Sequence, residues 1–172
     1  MIILAQIIGL IASIVMILGI QVKEKKYICL IFIVAKIFYG INFALLSAYS
    51  GAINQIIGLV ITVVSYIYTK RNKKIPLWIS SVFIIITLIG GFFTYSNIYS
   101  LLAIGAGITY ALIVASNDMK TIRKLNLIQA LLWTIYDLII SAYTASISSV
   151  FVFVSTLIAI FRYDILKKDK IK

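Results

Sequence analysis

The stretch IPLWISSVFIIITLIGGFFTYSNIYSLLAIGAGITYALIVASN, residues 75–117, runs for 43 residues without one charged side chain. A bilayer core about 30 Å thick is climbed at about 1.5 Å per residue, so one helical crossing takes roughly 20 apolar residues. This stretch therefore predicts two helices, with Thr94-Tyr95-Ser96-Asn97 as the turn between them. Residues 1–22 carry no charge before Lys23; residues 27–69 are interrupted only by Lys36, and residues 125–161 only by Asp137. These windows hold one, two and two further helices. Their inner turns fall at Ser47-Ala48-Tyr49-Ser50-Gly51 and Ser141-Ala142-Tyr143-Thr144. Seven spans are expected. A β-barrel is excluded, because its strands alternate polar and apolar residues and these runs are apolar nearly all round.

Composition agrees. Of 172 residues, 63% are hydrophobic and 12% charged, with mean hydropathy +1.12. Soluble domains run about 45–50% apolar and about 25% charged, so a soluble enzyme is ruled out. There is one cysteine, Cys29, and no histidine, which removes a disulfide framework, the commonest general base and the commonest metal ligand. With Asp137 the only acid inside a span, no catalytic set, metal site or cofactor is expected.

The basic residues fix the orientation. Lys23, Lys25 and Lys26 follow helix 1, Lys70, Arg71, Lys73 and Lys74 follow helix 3, and Lys120, Arg123 and Lys124 follow helix 5. Arg162, Lys167, Lys168, Lys170 and Lys172 follow helix 7. With seven spans, every basic residue except Lys36 lies on one side. The N-terminus is expected outside and the C-terminus in the cytoplasm. The net charge of +11 then belongs to loops beside an anionic leaflet, and no nucleic-acid partner is implied. Residues 1–22 lack the positive n-region of a secretory signal and read as a retained first span.

A shift of 94 positions superimposes the halves: Ser47-Ala48-Tyr49 falls on Ser141-Ala142-Tyr143, Tyr39 on Trp133 and Lys26 on Lys120. Helices 1–3 then match helices 5–7. Helix 4 is the crossing that restores direction, so the two triplets are parallel. The expected organisation is a first three-helix bundle (1–69), a basic cytoplasmic loop and linker helix (70–97), a second bundle (98–163) and a basic tail (164–172). Small residues at four-residue spacing, Ala5, Gly9 and Ser13 and then Ala103, Gly107, Ala111 and Ala115, suit close helix packing.

Leu4-Ala5-Gln6-Ile7-Ile8-Gly9, Lys23-Glu24-Lys25-Lys26 and Leu45-Leu46-Ser47-Ala48-Tyr49-Ser50-Gly51-Ala52 resemble the YgjV family of small bacterial inner-membrane proteins, over nearly the whole chain. More distantly, the 3+1+3 plan looks like the SWEET, PQ-loop and PnuC transporter superfamily. That resemblance implies a bacterial inner-membrane location and a rocking pair of triplets. The chain departs from it in three places. Ile20-Gln21 stands where a Pro-Gln dipeptide is expected, Pro76 is the only proline, and Gln55 and Ser149 replace the third-helix asparagines. Sugar specificity is not implied, and hinges fall to glycines such as Gly19, Gly40 and Gly58.

The polar groups at membrane depth are the candidate site. Tyr39, Asn42, Asn54, Gln55, Gln129, Trp133, Ser148 and Ser149 offer amides, hydroxyls and ring faces from both halves, suited to a small neutral polar solute such as a sugar or nucleoside. Each is also the kind of residue that hydrogen-bonds between helices. Lys36 and Asp137 supply one buried charge of each sign; they pair with each other or with uncharged groups and water, and Asp137 is a candidate for proton coupling. A transporter working by alternating access is the expectation. A membrane scaffold, sensor or assembly partner, as monomer or homo-oligomer, is the alternative.

Overall fold

The computed structural model describes residues 2–20, 25–116 and 118–161. Gln21, Lys23, Glu24 and the basic tail from Arg162 onward lie outside these residues, as does the side chain of Ala115. Seven helices and no strand are found among the described residues. They are α1 (Ile2–Ile20), α2 (Lys25–Leu45), α3 (Tyr49–Lys70), α4 (Leu77–Phe93), α5 (Ser100–Ala115), α6 (Met119–Ile139) and α7 (Tyr143–Ile160). By length and composition α1, α2, α3 and α7 can cross a membrane; α4 and α5 are shorter apolar helices.

The turns are tighter than the sequence suggests. Ser50 and Gly51 already belong to α3, and Thr144 to α7. The chain reverses over Leu46–Ala48 because Ser47 takes a left-handed conformation (φ 56°). Its amide donates to the Ala44 carbonyl (3.0 Å) and the Ala48 amide to the Phe43 carbonyl (2.9 Å), the paired bonds that close a helix C-terminus. The α6–α7 turn repeats this bond for bond. Ser141 has φ 59°, its amide donates to the Leu138 carbonyl (3.2 Å), and Ala142 donates to the Asp137 carbonyl (2.8 Å). Phe43 and Asp137 thus hold the same place relative to their turns. Asn72 (φ 53°) ends α3 in the same way.

Starts are set by other chemistry. Pro76, extended at φ −65° and ψ 145°, precedes α4, where a missing N–H costs nothing. Asp118 caps α6 by accepting from the Thr121 hydroxyl (2.7 Å), the Thr121 amide (2.9 Å) and the Lys120 amide (3.3 Å). The Thr121 hydroxyl, then these amides, hold the Asp118 carboxyl below its ordinary range. The cap contributes stability above the unfolded carboxylate pKa and loses it as pH falls through the depressed value.

The helices pack in chain order around a ring. α1 packs on α2, α2 on α3, α3 on α5, α5 on α6, α6 on α7 and α7 back on α1, with α4 outside against α3 and α5. Small residues allow the two closing contacts, α1 with α7 and α3 with α5. A Cβ at Gly9 would lie 2.9 Å from the Asn42 amide and overlap the Thr144 hydroxyl. One at Gly107 would lie 2.8 Å from Asn54 Cγ. Ala5, Ser13, Ala103 and Ala111 are likewise buried.

Left-handed serine carries a steric cost of about 1 kcal/mol that glycine avoids. Ser47→Gly is expected to raise unfolding stability by about 0.5–1 kcal/mol in detergent denaturation, and Ser47→Val to lower it.

Candidate functional site

Polar side chains are buried among small and aromatic residues, while many large apolar ones face outward. Asn42, Thr62, Thr87 and Asp137 are fully buried, whereas Ile3, Leu77, Phe92 and Phe93 are at least 74% exposed. Exposed apolar surface on this scale marks contact with a membrane or partner, and polar groups removed from water must pair with one another.

Much of that pairing lies at the end of the ring formed by the α2–α3 and α6–α7 turns. The Gln6 amide donates to the Ser141 carbonyl (2.6 Å), and the Thr144 hydroxyl donates to the Gln6 carbonyl (3.0 Å). Ser13 donates to the Thr144 carbonyl (2.7 Å), and the Tyr39 hydroxyl bonds both Ser148 and Ser13. The Gly51 amide donates to the Tyr136 hydroxyl (3.0 Å), which also meets Ser50 (3.1 Å). Phe43 stacks on Trp133 at 5.5 Å with 6° between planes, and Tyr136 meets both rings edge-on.

Below this layer lies a cavity of about 370 Å³. Its lining runs from Arg123 near the start of α6 and Ala159 near the end of α7 to Phe43 and Asp137 near the turns. Of the residues singled out from the sequence, Lys36, Tyr39, Gln55, Gln129, Trp133, Asp137, Ser148 and Ser149 line it. Asn42 and Asn54 do not. The Asn42 amide donates to the Ala5 carbonyl (2.6 Å), tying α2 to α1, and Asn54 donates to the Ala103 carbonyl, tying α3 to α5. Their amides are drawn to backbone carbonyls exposed where α1 and α5 carry small residues.

Tyr110, Arg123, Asn126, Ser155 and Thr156 line the cavity as well, and sequence reading passed over them. Arg123 counts as a loop charge until α6 is seen to begin at Met119. Asn126 was also legible, since positions 126, 129, 130, 133 and 137 recur at helical spacing.

Lys36 and Asp137 face the same cavity without an ion pair between them. The Lys36 ammonium lies 4.2 Å from the centre of the Tyr110 ring and rests against Gly58. Asp137 is 2% exposed; its Oδ2 accepts from the Ser149 hydroxyl (3.0 Å), and its Oδ1 has no hydrogen-bond partner.

A family model described as bacterial inner membrane protein, Imp-YgjV, matches residues 3–167. The chain belongs to this family. It is accordingly a multi-pass protein of the bacterial inner membrane, and the apolar exterior of this YgjV-family chain is its lipid-facing surface. No curated protein and no solved structure matches it.

Tyr39 joins α1, α2 and α7 through one hydroxyl. Interhelical hydrogen bonds in membranes contribute about 0.6 kcal/mol on average. Tyr39→Phe is expected to lower stability by about 0.5–1.5 kcal/mol, read as a shift in the denaturation midpoint of the purified YgjV-family protein.

Proposed function

We propose that the protein carries a small polar solute without net charge across the inner membrane, by alternating access between the triplets α1–α3 and α5–α7. The observation that carries this reading is the cavity. It is lined from both triplets by amides, hydroxyls and ring faces, and is of a size suited to a small ligand.

The reading takes all seven helices as crossings. α4 and α5 have 17 and 16 residues, about 25 Å of helix, which a locally thinned bilayer accommodates. The bond-for-bond match of the Ser47 and Ser141 turns, 94 residues apart, favours an internal repeat. So does the correspondence of neighbours, since α1–α2–α3 and α5–α6–α7 pack alike and close on each other at two equivalent seams. Lys26, the run Lys70–Lys74, Lys120 and Lys124 gather at one end, which the positive-inside rule assigns to the cytoplasm.

In this frame the cavity faces inward. Its lining reaches the basic end at Arg123, while the Phe43–Trp133–Tyr136 cluster and the Gln6, Ser13 and Tyr39 bonds close the outer end. Facing outward requires these contacts to part and the basic end to close.

Reconstituted liposomes offered a panel of labelled sugars, nucleosides and amino acids test the reading. Saturable uptake of one solute, reduced tenfold or more by Gln55→Ala or Trp133→Ala, is the expected result. If no solute accumulates above protein-free liposomes, the transport reading falls and the scaffold reading takes its place.

A further inference from the structure

We propose that the cavity takes a small zwitterion, its ammonium group against the Asp137 carboxylate and its carboxylate against the Lys36 ammonium. This rests on the reading of the cavity as a solute site and narrows the solute's chemistry.

The first ground is Asp137. A carboxylate at 2% exposure with one oxygen bonded only to Ser149 and the other to nothing is an incomplete anion site. Each oxygen can accept two donors, and the group lines the cavity. Trp133 lies one helical turn before it on α6, and Tyr39 on α2 lines the cavity as well. Ring faces attract ammonium groups, so both features at this end favour a cation that also donates hydrogen bonds.

The second ground is Lys36. Among the described residues no carboxylate lies within 4 Å of its ammonium, which faces the Tyr110 ring. Its three donors exceed what one ring satisfies, and the cavity, with Gln55 and Gln129 on its walls, is where an anionic acceptor can reach it.

The spacing joins the two. Phe43 and Asp137 are equivalent relative to their turns, and Lys36 precedes Phe43 by seven residues. The two backbones are therefore about 10 Å apart in level. Side chains on helices lean toward the helix start, and α2 and α6 run the same way, so the two charged groups stay separated in level. That separation suits one ligand that carries opposite charges at its two ends. An uncharged solute leaves both ends unneutralised, and a plain cation or anion completes only one.

The test uses the full chain in lipid nanodiscs with Trp78→Phe. Trp78 is an exposed residue of α4, and its removal leaves Trp133 as the only tryptophan. Trp133 fluorescence is followed on titration with free amino acids, their methyl esters (cation only), their N-acetyl forms (anion only), and uncharged sugars and nucleosides. At least one free amino acid is expected to saturate, with its ester and N-acetyl form at least tenfold weaker. Asp137→Asn is expected to erase the disadvantage of the N-acetyl form, and Lys36→Met that of the ester. Should Asp137→Asn not yield monodisperse protein, the Lys36→Met arm and the comparison of free with blocked amino acids decide. Equal binding of free and blocked amino acids overturns the inference, as does saturation only by sugars or nucleosides, which leaves the solute-site reading standing. Saturation by no probe overturns both.

Discussion

In hydrocarbon every polar group of a chain must be satisfied by the protein itself, and this fold is organised by that demand. Its helices turn isoleucine, leucine and phenylalanine outward and keep asparagine, serine, threonine, tyrosine and aspartate within. The apolar side chains do not make the fold specific, because lipid is as apolar as leucine. What makes the arrangement specific is the set of hydrogen bonds that the inward polar groups make from one helix to another. Asn42 reaches α1, Asn54 reaches α5, Ser13 and Gln6 meet Thr144 of α7, and Tyr136 reaches α3.

These bonds depend on close approach. Gly9 and Gly107 stand where α1 meets α7 and where α3 meets α5, and in each case an asparagine side chain occupies the space a Cβ would need. The small residues and the asparagines work as pairs: the first exposes a helix backbone, and the second bonds to its carbonyls. The result is a ring of six helices rather than a solid bundle, and the cavity is what the ring encloses. Lys36 and Asp137 are tolerated at depth because they face that space and not lipid.

Much of this was legible in the sequence. Charge-free windows and polar turns located the helices, since a helix cannot carry unpaired charges through hydrocarbon and a turn needs residues that reverse the chain. The turns are shorter than their polar stretches suggest. The αL serines at 47 and 141 reverse the chain, while Gly51 lies within α3 and admits the Tyr136 hydroxyl. Most candidate site residues line the cavity, because inward polar faces recur at helical spacing. Asn42 and Asn54 had the same chemistry and depth, yet they bind carbonyls on α1 and α5. Which amide faces the cavity and which faces a neighbour depends on packing between distant helices, and composition carries no record of it. Arg123 was passed over for the opposite reason: charge near a helix start reads as loop until the helix boundary is known.

The claim on which the account turns is that α7 presents one wet face to an internal cavity and one dry face to lipid. Single cysteines placed along α7 in a Cys29→Ser background measure this directly, through reaction with a membrane-impermeant thiol reagent in inverted vesicles. Positions 149, 152 and 156, which line the cavity, are predicted to react, and positions 150, 154 and 158, which are exposed on the apolar exterior, to stay unlabelled. Uniform labelling along the helix, or labelling confined to the second set, would contradict it.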